Sequence, residues 1–140
     1  MKIRRHTASP PIDGKQIDTL IDAARAACAE AYAPYSGFKV GAACLVASGR
    51  VYAGSNVENA SYGLSICAER AATFHAVNAG ERDIVAIALY TPTPQPVSPC
   101  GACRQVLCEF GDAIEVIAAC DGPGVNRWTS GELLPARFKL

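Results

Sequence analysis

The chain has 140 residues, half of them hydrophobic, and its 13 basic and 13 acidic side chains cancel. That length suits one compact domain, and the even charge speaks against a protein that grips nucleic acid through its phosphates, which calls for a basic surplus. No uninterrupted apolar stretch reaches the length of a membrane span, and the first residues carry charge and proline rather than an apolar leader, so the expectation is a soluble cytoplasmic protein.

Residues 1–12 read as a loose tail, with Pro10-Pro11 interrupting regular structure, and residues 13–140 as one domain. From Lys15 to Tyr32 apolar residues recur at helical spacing (Ile17, Leu20, Ile21, Ala24, Ala27, Cys28, Ala31), and Pro34 and Gly37 end the run. Phe38 to Ala47 reads as a largely buried strand. Ser48-Gly49 turns the chain, and Arg50 to Val57 returns as its hairpin partner. A loop of small and polar residues, Glu58 to Ser65, leads to a second helix over about Cys67–Ala79, stopped by Gly80. Ile84 to Tyr90 is an apolar run of strand length, followed by a proline-rich loop. Ser98-Pro99 predicts the cap and first residue of a helix running to Phe110. Ile114 to Ala119 predicts another strand, Val125 to Thr129 a short last one, and Glu132 to Leu134 a final turn. The alternation predicts a three-layer α/β/α fold around a mixed sheet of about five strands.

Two segments carry chemistry: Cys67-Ala68-Glu69-Arg70 and Pro99-Cys100-Gly101-Ala102-Cys103-Arg104, each at a helix start. A Cys-x-x-Cys pair alone fits a redox couple or half of a structural zinc site equally. With Cys67 as a third thiolate the set becomes that of a catalytic zinc, one ion per chain, which keeps three protein ligands and one open position. Three thiolates leave the ion with excess negative charge; two helix N-termini oppose it, and Arg70 and Arg104 are spaced to lie beside ligand sulfurs as charge balance. Glu69 is the candidate proton shuttle. Residues two apart on a regular helix point about 200° apart, so Cys67 and Glu69 converge only if Cys67 sits at or before the first turn. The four other cysteines, Cys28, Cys44, Cys108 and Cys120, lie in apolar stretches and read as buried thiols; His75 reads as a packing or surface residue and not as a ligand.

A ligand, any residue, glutamate, then Pro-Cys-x-x-Cys is the signature of zinc-dependent nucleobase deaminases. Beyond that core, Pro34-Tyr35-Ser36-Gly37-Phe38-Lys39-Val40-Gly41-Ala42, Asn56-Val57-Glu58-Asn59-Ala60, the two zinc segments and Glu132-Leu133-Leu134-Pro135 occur in order. The chain thereby closely resembles the small homotetrameric cytidine deaminases over roughly Lys15 to Phe138. The resemblance implies hydrolytic deamination of cytidine and deoxycytidine in pyrimidine salvage, with a free nucleoside as substrate and no nucleic acid or membrane partner. It implies that Asn56 and Glu58 hold the sugar hydroxyls, that Phe38 packs on the pyrimidine and that Ala68 meets the base through its backbone. It implies too that Tyr62, and near the C-terminus Phe138, reach a neighbouring subunit's site in a homotetramer. Three other readings compete: a sibling enzyme acting on a modified cytosine nucleoside, an editing deaminase acting on RNA or DNA, and a non-enzymatic zinc-stabilised module.

Overall fold

Asp13 sets the start of the first helix. Its carboxylate accepts the Gln16 amide at 2.8 Å while the Gln16 side chain accepts the Asp13 amide at 3.0 Å, a reciprocal cap that satisfies two otherwise unpaired donors. The computed structural model describes residues 11–140. Positions 1–10 of the expected tail lie outside the described residues; of the two that follow, Ile12 is buried in the core beneath the first helix.

That helix, α1, spans Gly14–Cys28 and turns Leu20, Ala24 and Cys28 inward. It stops before the expected end at Tyr32, because the Tyr32 backbone is engaged elsewhere: its amide donates to the Asn56 carbonyl at 3.0 Å and its carbonyl accepts from Glu58 at 2.8 Å. The hairpin follows as β1 (Gly41–Val46) and β2 (Val51–Ser55), with Gly49 at φ +88°, a conformation glycine alone adopts without strain. β1 starts three residues later than the apolar run implies. The Asn56 side chain accounts for this: it takes the Phe38 carbonyl and the Val40 amide, both at 2.8 Å, in place of a ladder partner.

A single 3-10 turn, Tyr62–Leu64, precedes α2 (Ala68–Asn78). Then come β3 (Ile84–Tyr90), α3 (Gly101–Phe110), β4 (Glu115–Ala119), β5 (Val125–Thr129) and the short α4 (Ser130–Leu133). The sheet order is β2-β1-β3-β4-β5. Only β3 and β4 run parallel, and α3 supplies the crossover that such a pair needs.

Strand alternation sorts the core into two layers. Ala42, Cys44 and Val46 of β1, Ile87 and Leu89 of β3, and Val116 and Ala118 of β4 face Ala68, Ala72 and Ala76 of α2 and Leu107 of α3. Their neighbours Ala43, Leu45, Ala86, Ala88, Ile117 and Ala119 lie under α1. The result is the expected three-layer arrangement. The α2 face is built from alanine, and it rests so closely on β2 that a Cβ at Gly54 would stand 2.5 Å from the Ala72 amide nitrogen. Cys28, Cys44, Cys108 and Cys120 are buried free thiols, as expected, and burial pushes Cys44 up to about 12. His75 packs edge-on against Tyr52 with its Nδ1 3.0 Å from the Ala53 carbonyl oxygen. Among the described residues no helix is long and apolar enough to cross a membrane.

Candidate active site

The two chemical segments meet where α2 and α3 begin. Cys67 is the cap residue of α2, extended at φ −73°, ψ 155°. It therefore stands outside the helical turn, as convergence with Glu69 demands. Cys100 plays the same part for α3, at φ −67°, ψ 165°. This places the start of α3 two residues after the expected Ser98 cap. The Ser98 hydroxyl and the Pro99 carbonyl do not serve the helix; both accept hydrogen bonds from the Arg104 guanidinium.

The Sγ atoms of Cys67 and Cys100 are 3.6 Å apart, those of Cys100 and Cys103 3.5 Å, and all three lie within 4.8 Å of one another. A tetrahedron with zinc–sulfur bonds of 2.3 Å has edges of about 3.8 Å, so the spacing and the soft donors fit zinc. Among the described residues no further His, Cys, Asp or Glu joins this cluster, so the chain offers three ligands, the number a catalytic zinc would take from protein. Arg70 donates to the Cys67 sulfur at 3.6 Å, as the spacing predicted. Cys67 is drawn well below the usual thiol range by the hydrogen bond from Cys103 and then by the Arg70 guanidinium, against the effect of burial. Cys103 moves the opposite way, as donor to Cys67, by burial and by the nearby negative charge of Glu69 and Cys67.

Glu69 is 5% exposed, a depth at which a carboxylate needs a reason. Burial pushes its carboxyl up to about 7, its own amide opposes the rise, and the Cys67 charge adds to it. At neutral pH such a group both takes and gives a proton readily.

Glu69, Ala68, Cys67 and Cys100 line a cleft of about 360 Å³, within the range of small-ligand sites. Phe38, Asn56 and Glu58 line the same cleft, with Ser36, Leu89, Thr91 and Val97 among its other walls. The sequence profile of the cytidine and deoxycytidylate deaminase zinc-binding region matches residues 15–120. The chain belongs to this deaminase family. It is 51% identical over 109 residues to the cytidine deaminase of Halalkalibacterium halodurans, covering 77% of this chain and 83% of that protein. The crystal structure of cytidine deaminase from Burkholderia pseudomallei matches with a TM-score of 0.84 at 51% identity, over 86% of this chain and 98% of that one. Cytidine deaminase from Mycobacterium tuberculosis matches at 0.79 and 41%, over 93% and 100%.

The deaminase cleft also shows how one wall is held. Glu58 Oε1 accepts the amides of Tyr35 at 2.9 Å and Ser36 at 3.1 Å, and Oε2 accepts the Ser36 hydroxyl at 2.5 Å. These bonds, led by the Ser36 hydroxyl, keep the carboxyl below its ordinary range, so it is an anion at neutral pH. The Ser36 oxygen in turn accepts the Phe38 amide at 3.0 Å. Nothing in the residue pattern marks Ser36 as a site residue; its one signal is its place between Tyr35 and Phe38 in the Pro34–Ala42 segment.

Three sequence-predicted residues of the deaminase stand apart from the cleft. Tyr62 is 77% exposed, its ring edge-on to Tyr35 at 6.2 Å. Phe138 is 73% exposed, and its carbonyl accepts the Gln105 side chain at 3.4 Å. Arg104 requires correction: its guanidinium bonds Pro99, Ser98 and the Leu133 carbonyl rather than a ligand sulfur. With Cys100 as the helix cap, the peptide before it is within reach of a side chain one turn on, and those oxygens capture the guanidinium.

Proposed function

We propose that this chain hydrolyses cytidine and deoxycytidine, taking up one water and releasing ammonia and the uridine product. The observation that carries the proposal is the buried Glu69 carboxyl beside a three-thiolate cluster on a nucleoside-sized cleft. Cys67, Cys100 and Cys103 would hold zinc, which when bound acidifies water at its open position. Glu69 takes the proton that the water gives up and delivers it to ring N3. The water oxygen ends on C4 as a hydroxyl; Glu69 moves that hydroxyl's proton to the amine, and as the C4–N bond breaks ammonia leaves and the C4 carbonyl of the uridine product remains. The Ala68 backbone faces the base edge, Phe38 packs on the ring, and Asn56 and Glu58 receive the sugar hydroxyls.

The family also includes enzymes for the 5′-monophosphate, and the cleft favours the free nucleoside. None of the described residues lining it is Lys or Arg, and Glu58 contributes a fixed negative charge. A phosphate dianion would meet repulsion there without a compensating cation.

The exposed rings of Tyr62 and Phe138 fit a homotetramer in which each reaches a neighbouring site; exposed Tyr32, Tyr35 and Leu64 extend that apolar surface. Sedimentation at several concentrations measures the assembly. A free-nucleoside substrate fits pyrimidine salvage, the role we propose for the chain, in the cytoplasm. The deciding experiment follows the ultraviolet absorbance of cytidine with zinc-loaded protein and with Glu69→Gln. The variant is expected to keep its zinc and lose activity by about 10²–10⁴-fold. A zinc-replete Glu69→Gln with near wild-type turnover would remove Glu69 from the reaction, and a zinc-replete wild type inert toward both nucleosides would remove the substrate.

A further inference from the structure

Of the three clustered thiols, Cys103 is fully buried and Cys67 is held by Arg70, but Cys100 is exposed, so packing does not fix its direction. Something else must hold the backbone on either side of it. The Arg104 side-chain Nε donates to the Pro99 carbonyl at 2.8 Å, and the Arg104 amide donates to the Cys100 carbonyl at 3.1 Å. The first oxygen belongs to the peptide unit just before Cys100 and the second to the unit just after it. Peptide units are rigid planes, and the only soft torsions between these two are φ and ψ of Cys100. One residue therefore pins both planes. The remaining guanidinium nitrogens fasten the arrangement outward, to the Ser98 hydroxyl at 3.1 Å and to the Leu133 carbonyl at the end of α4 at 3.0 Å.

From this geometry we infer that Arg104 is a positioning residue for the metal ligand Cys100, working as a forked clamp on the peptide before it and not as a counter-charge to its sulfur. The inference rests on the three-thiolate zinc reading of the site. It separates cleanly from the charge-balance role expected of this residue, because a lysine carries the same charge without the fork. A clamp whose donors sit on three separate nitrogens, Nε, Nη1 and Nη2, cannot be reproduced by the N–H bonds of one ammonium nitrogen; a counter-charge can.

The test compares wild type, Arg104→Lys, Arg104→Gln and Ser98→Ala. Zinc affinity is read by competition with a chromophoric chelator, ligand geometry from the visible spectrum after replacing zinc with cobalt(II), and folding from thermal unfolding of the zinc-free proteins. Both Arg104 variants are expected to bind zinc about 10- to 100-fold more weakly, the range for losing a group that orients a ligand, with a changed cobalt spectrum. Ser98→Ala, which removes one leg of the clamp, is expected to weaken zinc about fivefold. Wild-type affinity in Arg104→Lys would restore the charge reading and overturn the clamp. Wild-type affinity and spectrum in Arg104→Gln would overturn it too, even with a lowered unfolding temperature, since that is a purely structural role. Should the Arg104 variants fail to fold, Ser98→Ala decides: unchanged zinc affinity there overturns the proposal. A wild type that binds no zinc would instead sink the metal reading beneath it.

Discussion

Gly54→Ala is a one-methyl change outside the cleft that tests how the helix carrying Glu69 is seated. The added Cβ would stand 2.5 Å from the Ala72 nitrogen, 2.8 Å from the Ala71 carbonyl carbon and 2.9 Å from the Ala71 Cβ. None of these atoms ends a flexible side chain, so relief requires α2 to back away from β2 by roughly 1 Å to reach ordinary contact. α2 carries Glu69 and begins at Cys67, whose sulfur is 3.6 Å from that of Cys100. Metal–ligand distances tolerate only about 0.2 Å, and a misplacement of 1 Å costs on the order of 100-fold in rate. Overpacking of this kind also costs about 1–3 kcal/mol of stability. The assay is kcat/KM for cytidine together with urea unfolding and zinc content. Gly14→Ala serves as the control, since a Cβ there meets open space in the first turn of α1 and should stabilise by roughly 0.5–1 kcal/mol with activity unchanged. If Gly54→Ala keeps wild-type kcat/KM and unfolding midpoint, the α2–β2 contact does not register the site.

Further outcomes follow from the bonds around the cleft. Asn56→Asp turns the amide donor facing the Phe38 carbonyl into an acceptor; it should cost about 1–3 kcal/mol in urea unfolding and raise KM as Phe38 loosens. Arg70→Gln removes a hydrogen bond and a charge that hold the Cys67 thiol down, so alkylation of the zinc-free protein by iodoacetamide should move to higher pH. In the zinc-free protein Glu69 is raised from 4.5 to about 7. A carboxyl raised in the folded state stabilises fully below about pH 4.5 and loses that contribution as pH climbs through about 7, amounting to about 3 kcal/mol. Glu69→Gln should flatten this decline in denaturant titrations across that window.

Where local pattern and tertiary structure agree, the sequence was legible to the residue: Ile84–Tyr90 is a central strand whose apolar run has no competitor, and β3 has those bounds. The three thiols and Glu69 were legible because metal chemistry restricts both the residue types and their spacing. Elsewhere a side chain from a distant segment decided the outcome. Asn56 ends the pairing that Phe38 and Val40 would otherwise begin, and the Tyr32 backbone belongs to the segment after β2. Arg104 illustrates the limit of helical spacing, which says which turn a side chain stands over but not which neighbour it chooses. Ser36 bonds both Glu58 and Phe38, and no periodicity marks such a link between two loop residues.

The thiols also have a topological meaning. Cys67 and Cys100 are 33 positions apart, and β3, the middle strand of the sheet, lies between them. A zinc ion held by both closes a loop of chain that contains that strand, much as a disulfide would. Tying off a loop of this length lowers the entropy of the unfolded chain by an amount equivalent to about 4 kcal/mol. On this view the ion is a removable staple, and a chelator acts on the enzyme as a denaturant as well as an inhibitor.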